Sequence, residues 1–346
     1  MRYLFIGAGA IGSYLGGSLI KAGKQVFFLE KPEFYQRLKD NGLHLVLRNG
    51  QRFDTDISVF GNPQEAFQQS PDIVIFAMKS FDTQAAAQTI SPYLGNVKAI
   101  LCFQNGVENE DTIRKYSNGT PVISATLTSA IGKTPNGEIV LERFRGVGIE
   151  KSGELTERVW QDFTDADVNP VLFDSAADMK WSKMISNLLL NSTCAILDMT
   201  PAEVMNHKEV FRLEVEQIRE TLRVMRALSI SPVNLPRVPV ALLAGVIRFV
   251  PADLSRIILR KPLAGGRGAK MPSFHIDLHL GKRESEVEYL NGAVVRYGAK
   301  VGLQTPVNRA LCDLLTMIAK DPELVSEYRH SITKLLTQVN LLKQEI

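Results

Sequence analysis

Short apolar runs alternate with stretches in which apolar positions recur every three or four residues, and this alternation fills the first half of the chain. Such spacing predicts parallel strands joined by helices. Strands are expected over residues 3–6, 25–29, 72–76, 99–102 and 122–124, with helices over 11–22, 32–40, 81–93 and 109–116 between them. Residues 43–59 alternate around Asn49-Gly50, which predicts a hairpin, and Pro135-Asn136-Gly137 predicts the turn of a second. After a last short strand over 171–173 the pattern becomes almost continuous helix, expected over 176–198, 208–228, 238–250, 284–300, 306–319 and 322–338. The switch divides the chain into domains of residues 1–174 and 175–346.

The first strand runs directly into Gly7-Ala8-Gly9-Ala10-Ile11-Gly12, a G-x-G-x-x-G turn that opens the first helix. Gly7 permits the tight turn, Gly9 lets backbone amides approach a pyrophosphate, and Gly12 allows the helix to pack on the strand. The anion is then held at the helix N-terminus by unpaired N–H groups and the macrodipole. A glycine-rich loop of no function is the bland alternative. The preceding strand, the following helix and the acidic Glu30 at the end of the next strand favour a dinucleotide instead, with Gly7, Gly9, Ala10, Ile11 and Gly12 as its contacts. The fold expected is α/β: an N-terminal Rossmann doubly wound parallel sheet that binds the dinucleotide, and a C-terminal, mostly α-helical domain for substrate and catalysis.

Composition narrows the partners. With 40 basic against 37 acidic residues in 346, the net charge of +3 is too small to predict nucleic-acid binding, so a small molecule is expected. Three scattered cysteines, Cys102, Cys194 and Cys312, suggest neither a disulfide framework nor a metal motif, and a reducing cytoplasm fits them. The N-terminus enters a strand at once, so no cleavable signal is expected. The longest apolar stretch, 238–250, contains Pro239 and Arg248 and falls short of the about 18 residues that span a bilayer, so no membrane association is expected. His275 and His279 have the spacing of a metal pair, but the sequence offers no third ligand and no clear helix there, so no metal is expected.

Beyond the glycine turn the chain resembles the ketopantoate reductase (2-dehydropantoate 2-reductase) family from end to end. The resemblance is carried by the glycine turn, by an apolar strand ending in Met78-Lys79, and by a strand followed by Gln104-Asn105-Gly106. It continues in Trp181-Ser182-Lys183-Met184-Ile185-Ser186-Asn187 with Asn191, and in Ser285-Glu286-Val287-Glu288-Tyr289-Leu290-Asn291-Gly292. The resemblance implies reduction of a 2-oxo acid, most simply ketopantoate to pantoate in pantothenate biosynthesis, by hydride transfer from a nicotinamide. It makes Lys183 the general acid, while Asn105, Asn187 and Asn191 hold the substrate. Glu286 would accept a hydrogen bond from the substrate hydroxyl, Ser273 would donate one to its carboxylate, and Lys79, with Asn105, would lie near the nicotinamide. On one predicted helix, Asn187 and Asn191 follow Lys183 at i+4 and i+8, so one face presents an ammonium and two amides toward the cleft expected between the domains.

The cofactor is read from two adjacent residues. Glu30 stands where a carboxylate accepts from the ribose hydroxyls of NADH, whereas Lys31 stands where the family places an arginine on the 2'-phosphate of NADPH. NADPH is expected and NADH is the alternative, with Glu30 either turned away or paired with Lys31. Each site residue also has an ordinary reading: Lys183, with Lys180 three residues before it, as a solvated lysine, Asn105-Gly106 as a turn, and Glu286 with Glu288 as an exposed acidic face. The stretch 232–270 carries Arg237, Arg248, Arg256, Arg260, Lys261, Arg267 and Lys270 against the single acid Asp253. It reads as a solvated basic surface or as a lid suited to a more anionic substrate. Another dehydrogenase of 2-oxo or imino acids, and a dinucleotide sensor without chemistry, are the competing functions. The apolar surface of the helical half suits either a homodimer or an interface between domains.

Overall fold

The computed structural model describes residues 1–267 and 271–344; Lys270, and the side chains of Lys261 and Arg267, lie outside what is described. The chain separates into two compact units, Met1–Lys180 with Leu235–Val238, and Trp181–Asn234 with Pro239–Ile346. The first unit is built on strands β1 (Arg2–Ile6), β2 (Gln25–Leu29), β3 (Leu43–Val46), β4 (Arg52–Thr55), β5 (Ser58–Phe60) and β6 (Ile73–Phe76). They are followed by β7 (Ala99–Cys102), β8 (Val122–Leu127), β9 (Ala130–Lys133), β10 (Ile139–Arg143), β11 (Val147–Glu150) and β12 (Pro170–Phe173). Eight of them form one sheet in the order β12-β11-β8-β7-β6-β1-β2-β5. The chain winds outward from β1 through β2 to β5, then returns to β6 on the other side of β1, which is the topological switch of a Rossmann sheet.

Alternation along each strand explains why both faces are covered. Tyr3, Phe5, Ile73, Ile75 and Leu101 pack into one core, whereas Leu4, Ile6, Val74, Phe76 and Ile100 pack into another. A run apolar at every position is therefore what a doubly covered parallel strand requires. The two predicted hairpins form, and they join: β3 pairs with β10, giving a second sheet in the order β4-β3-β10-β9. β11 was not expected from the sequence, and it runs antiparallel to β8 at the far end of the main sheet. Its glycine explains why: a Cβ on Gly148 would stand 2.7 Å from the Met179 sulfur, so a residue that reads as a loop is there to let neighbours close in.

The second unit is helical, and no helix among the described residues is long and apolar enough to cross a membrane. Helix Lys208–Ala227 runs as expected, and Val287–Lys300 begins three residues later than the sequence suggested, which leaves Glu286 at its N-cap. The basic stretch forms helices Val240–Phe249 and Ala252–Arg267. Several of its cations are engaged within their own units: Arg237 lies over the Phe144 ring, Arg248 over Phe249, and Arg256 donates weakly to the carbonyls of Met205 and Asn206. The predicted helix 322–338 is divided into Pro322–Tyr328 and Ile332–Gln344.

One correction bears on the site. The helix expected over 176–198 is broken into Ala176–Leu188 and Ser192–Leu197, with Leu190 between them at φ 60°. A leucine in the left-handed region costs about 1–2 kcal/mol, and the apolar period through Leu188-Leu189-Leu190 gives no sign of it. Glu214, fully buried, holds the break: its carboxylate accepts from the Leu190 amide at 2.7 Å, the Thr193 hydroxyl at 2.6 Å and the Gln217 amide at 2.6 Å. Asn191 is therefore not the i+8 residue of Lys183 on one continuous helix. Glu214→Ala leaves these donors without their acceptor, and urea unfolding should show a loss of at least about 3 kcal/mol. A loss below about 1 kcal/mol would mean that the break is held by packing alone.

Candidate functional site

The glycine turn is narrow where backbone must close and open where a ligand must approach. Gly7 adopts φ 95° and its amide donates to the Leu29 carbonyl at 3.0 Å. A Cβ on Gly12 would stand 2.1 Å from the Gly7 carbonyl oxygen, so only glycine lets helix Ala10–Lys21 begin this close to the turn. A Cβ on Gly9 would meet nothing within 4 Å. Turn, clearance and helix N-terminus together fit the pyrophosphate of a dinucleotide.

Glu30 neither turns away from the turn nor pairs with the Lys31 ammonium. Its Oε2 accepts from the Ala8 amide at 2.7 Å and its Oε1 from the Lys31 amide at 2.9 Å, so the carboxylate fastens the glycine turn to the end of β2. The exposed Lys31 ammonium pairs instead with Asp82 Oδ1 at 2.8 Å, and that hydrogen bond is the main reason its pKa is raised.

Lys79 and Asn105 follow β6 and β7 at their carboxyl ends, beside the switch point. The Gln104 amide nitrogen ties the two loops, donating to the Thr83 hydroxyl at 2.7 Å and to the carbonyls of Met78 and Lys79, each at 3.2 Å. The Asn105 carbonyl accepts from the Ser80 hydroxyl at 3.0 Å and from the Asn109 amide at 2.6 Å. Behind this cluster sits a buried ion pair. Lys180 Nζ donates to the Gln104 carbonyl at 2.7 Å and lies 2.9 Å from Glu110 Oε1, a charge contact outside hydrogen-bond alignment. Burial alone would lower the Lys180 pKa, but the charge of Glu110 outweighs it and the net shift is upward. Lys180 is thus a buried, charged tie between helix Ala176–Leu188 and the Gln104 loop.

In the second unit Lys183 is partly buried on the same helix, and its carbonyl accepts from the Ser186 hydroxyl at 2.7 Å. The break at Leu190 brings Asn191 back onto the helix it has left. Its amide nitrogen donates to the Asn187 carbonyl at 3.0 Å and lies 3.4 Å from the Ser273 hydroxyl, while its oxygen accepts from the Phe274 amide at 3.1 Å. Glu286 is only 3% exposed, whereas Glu288 is exposed, so an acidic solvated face describes Glu288 and not Glu286. Asn109, Glu110 and Glu214 carry no signal in the sequence, and Gln104 carries one only as part of a motif, because each serves partners that lie elsewhere in the chain.

Comparison with known proteins gives concordant findings. The family model described as ketopantoate reductase PanE/ApbA matches residues 3–153, and the one described as ketopantoate reductase PanE/ApbA C terminal matches residues 176–319. The chain is 27% identical over 334 residues to a 2-dehydropantoate 2-reductase of Lactococcus lactis, covering 93% of this chain and 98% of that one. It is 26% identical over 322 residues to that of Pyrococcus horikoshii, covering 91% and 96%. Among solved structures, a PanE/ApbA family ketopantoate reductase from Ralstonia eutropha superposes with a TM-score of 0.79 at 27% identity, covering 92% of this chain and 98% of that one. A D-mandelate dehydrogenase in complex with NADH and anilino(oxo)acetate shares the fold, with a TM-score of 0.74 at 21% identity over 95% and 99% of the two chains.

The Lys180–Glu110 pair yields a test of the first unit. Glu110→Ala leaves an ammonium buried without its counter-charge and should cost about 3–5 kcal/mol in denaturant unfolding. Replacing both residues by apolar ones of similar volume should recover much of that loss. A single variant as stable as the parent would show that the pair does not hold the Gln104 loop.

Proposed function

Because the chain belongs to the ketopantoate reductase family, we propose that it reduces 2-dehydropantoate to pantoate with NADPH as the hydride donor, in the cytoplasm. The first unit serves as the dinucleotide-binding domain and the second as the substrate domain. The nicotinamide, when bound, supplies the hydride to the carbonyl carbon. The rest falls to side chains of this protein. Lys183 Nζ donates a proton to the carbonyl oxygen and stabilises the negative charge that develops there. Asn187, Asn191 and Asn105 hold the substrate, Ser273 donates to its carboxylate, and Glu286 accepts from its hydroxyl.

The observation that supports this reading most directly is the convergence on Asn191. The family resemblance assigns Asn187, Asn191 and Ser273 to the substrate, and Ser273 lies 82 residues beyond Asn191, yet the Asn191 amide nitrogen lies 3.0 Å from the Asn187 backbone carbonyl and 3.4 Å from the Ser273 hydroxyl. The fold thus gathers residues that the chain separates at one helix break, with the Ser273 hydroxyl as the group that can donate to a carboxylate. Lys183→Ala should lower kcat by about 10² to 10⁴, the usual cost of removing a positioned proton donor, with NADPH affinity nearly unchanged. NADPH oxidation followed by absorbance, together with cofactor titration, measures both. A near-normal kcat would remove Lys183 from the mechanism.

Cofactor choice is assigned to Lys31, since both Glu30 oxygens accept from backbone amides. The Lys31 ammonium, paired here with Asp82, would be the group that holds a 2'-phosphate. Lys31→Ala should therefore reduce kcat/KM for NADPH by up to about fivefold, on the scale of one exposed charge contact, and spare NADH. If the parent enzyme prefers NADH, or the variant uses NADPH equally well, the assignment passes to Glu30.

A further inference from the structure

The second unit holds a cluster that the reductase chemistry leaves unused. His275 and His279 stand one turn apart on helix Ser273–His279, and their rings stack with centroids 4.0 Å apart. Both face the same oxygen: His275 Nε2 lies 2.6 Å and His279 Nε2 3.4 Å from Asp198 Oδ1. Asp198 ends helix Ser192–Leu197 in the left-handed conformation, and Arg329 Nε holds its other oxygen, Oδ2, at 3.0 Å. The sequence offers no third ligand for the histidine pair. The fold brings one from 77 residues away.

We propose that Asp198, His275 and His279 form a binding site for a divalent transition-metal ion of the zinc class, with solvent completing its shell. Two imidazole nitrogens and one carboxylate oxygen, all within 4.8 Å of one another, are the donor set such ions select over magnesium or calcium. A tetrahedral ion with bonds of about 2.0 Å separates its ligands by about 3.3 Å. The His279 approach already has that spacing, and the His275 approach must open by about 0.7 Å. Arg329 engages Oδ2 and leaves Oδ1 to the imidazoles, the kind of second contact that orients a ligating carboxylate. Side-chain exposures of 12%, 18% and 36% for His275, Asp198 and His279 give an ion access from solvent.

The site is a clamp and takes no part in hydride transfer. The two helices that it joins are also fastened by the contacts of Asn191, at the start of the first, with Ser273 and Phe274, at the start of the second.

The test uses the full-length protein without an affinity tag, stripped with a chelator. Calorimetric titration with zinc should show one equivalent bound, cobalt(II) should give the visible absorption of a low-coordinate site, and zinc at about 100-fold over Kd should raise Tm by about 5 °C. Cys102, Cys194 and Cys312 are buried and offer no competing thiolate. His275→Ala and His279→Gln should each weaken zinc binding by at least about 10- to 100-fold, the cost of losing even an outer-shell partner. His279, the more exposed of the two, keeps the test valid if His275→Ala fails to fold. Absence of saturable uptake at millimolar zinc, or binding unchanged in the folded variants, overturns the proposal. None of these readouts depends on turnover, so the outcome is separate from that of the reductase reading.

Discussion

Wherever this chain leaves regular structure in a dry interior, it exposes backbone amides that water cannot reach, and each such amide needs an acceptor or costs a few kcal/mol. Carboxylates meet that need at several of its turning points. Glu214 accepts from the Leu190 amide, and Glu220 accepts from Val307 and Asn308 at 2.9 Å each, at the start of helix Pro306–Lys320. Glu150 accepts from the Ser124 amide at 2.9 Å at the edge of the antiparallel join, and Glu30 accepts from Ala8 and Lys31. An ionised acceptor makes roughly twice the bond of a neutral one, so it can offset the strain of an abrupt turn. The candidate groups for chemistry stand beside these turns. Asn191 follows the one fixed by Glu214, and the glycine turn carries the one fixed by Glu30.

This device changes how an acidic residue at the end of β2 is to be read. In the Rossmann plan that carboxylate hydrogen-bonds the ribose. Here both oxygens of Glu30 are directed at backbone amides, one of them in the glycine turn itself. A ribose hydroxyl would have to share oxygens that each already accept one charge-assisted bond, in a direction fixed by the turn. The neighbouring Lys31 is paired with Asp82, in a pair 54% and 30% exposed, where exchange of one anion for another costs little.

Most of the architecture was legible because it is written in local periodicity. The strands of the parallel sheet, the glycine turn, both hairpins and the long helices follow from short-range patterns of apolar residues and turn formers. What escaped was set by contacts distant in sequence. Leu190 turns left-handed inside an unbroken apolar period because Glu214 is there to accept its amide. β11 hides behind a glycine required by Met179 and Phe173. The site residues were legible only as motifs; spacing put Asn191 on the same helical face as Lys183, and the break shows that it reaches Asn187 by folding back. The sequence likewise held two of the three members of the histidine cluster, since nothing near His275 in the chain announces Asp198.

The acidic motif in the second unit divides its labour along the same lines. Its glutamate, Glu286, is buried at the N-cap of helix Val287–Lys300, while its asparagine, Asn291, is fully buried one turn further on. Asn291 accepts from the Ser192 hydroxyl at 3.0 Å and donates to Gln217 and Asn308 at 3.1 and 3.0 Å. Ser192 is the residue after Asn191, and Gln217 donates to Glu214, which holds the break. The helix that carries Glu286 is thus registered, through one amide, to the turn that carries Asn191. An apolar residue at position 291 would leave Ser192, Gln217 and Asn308 with unmatched polar groups, and such a network is worth more as a whole than its separate bonds. Its function follows from its connectivity: it fixes the spacing between a carboxylate and an amide that the sequence separates by 95 positions.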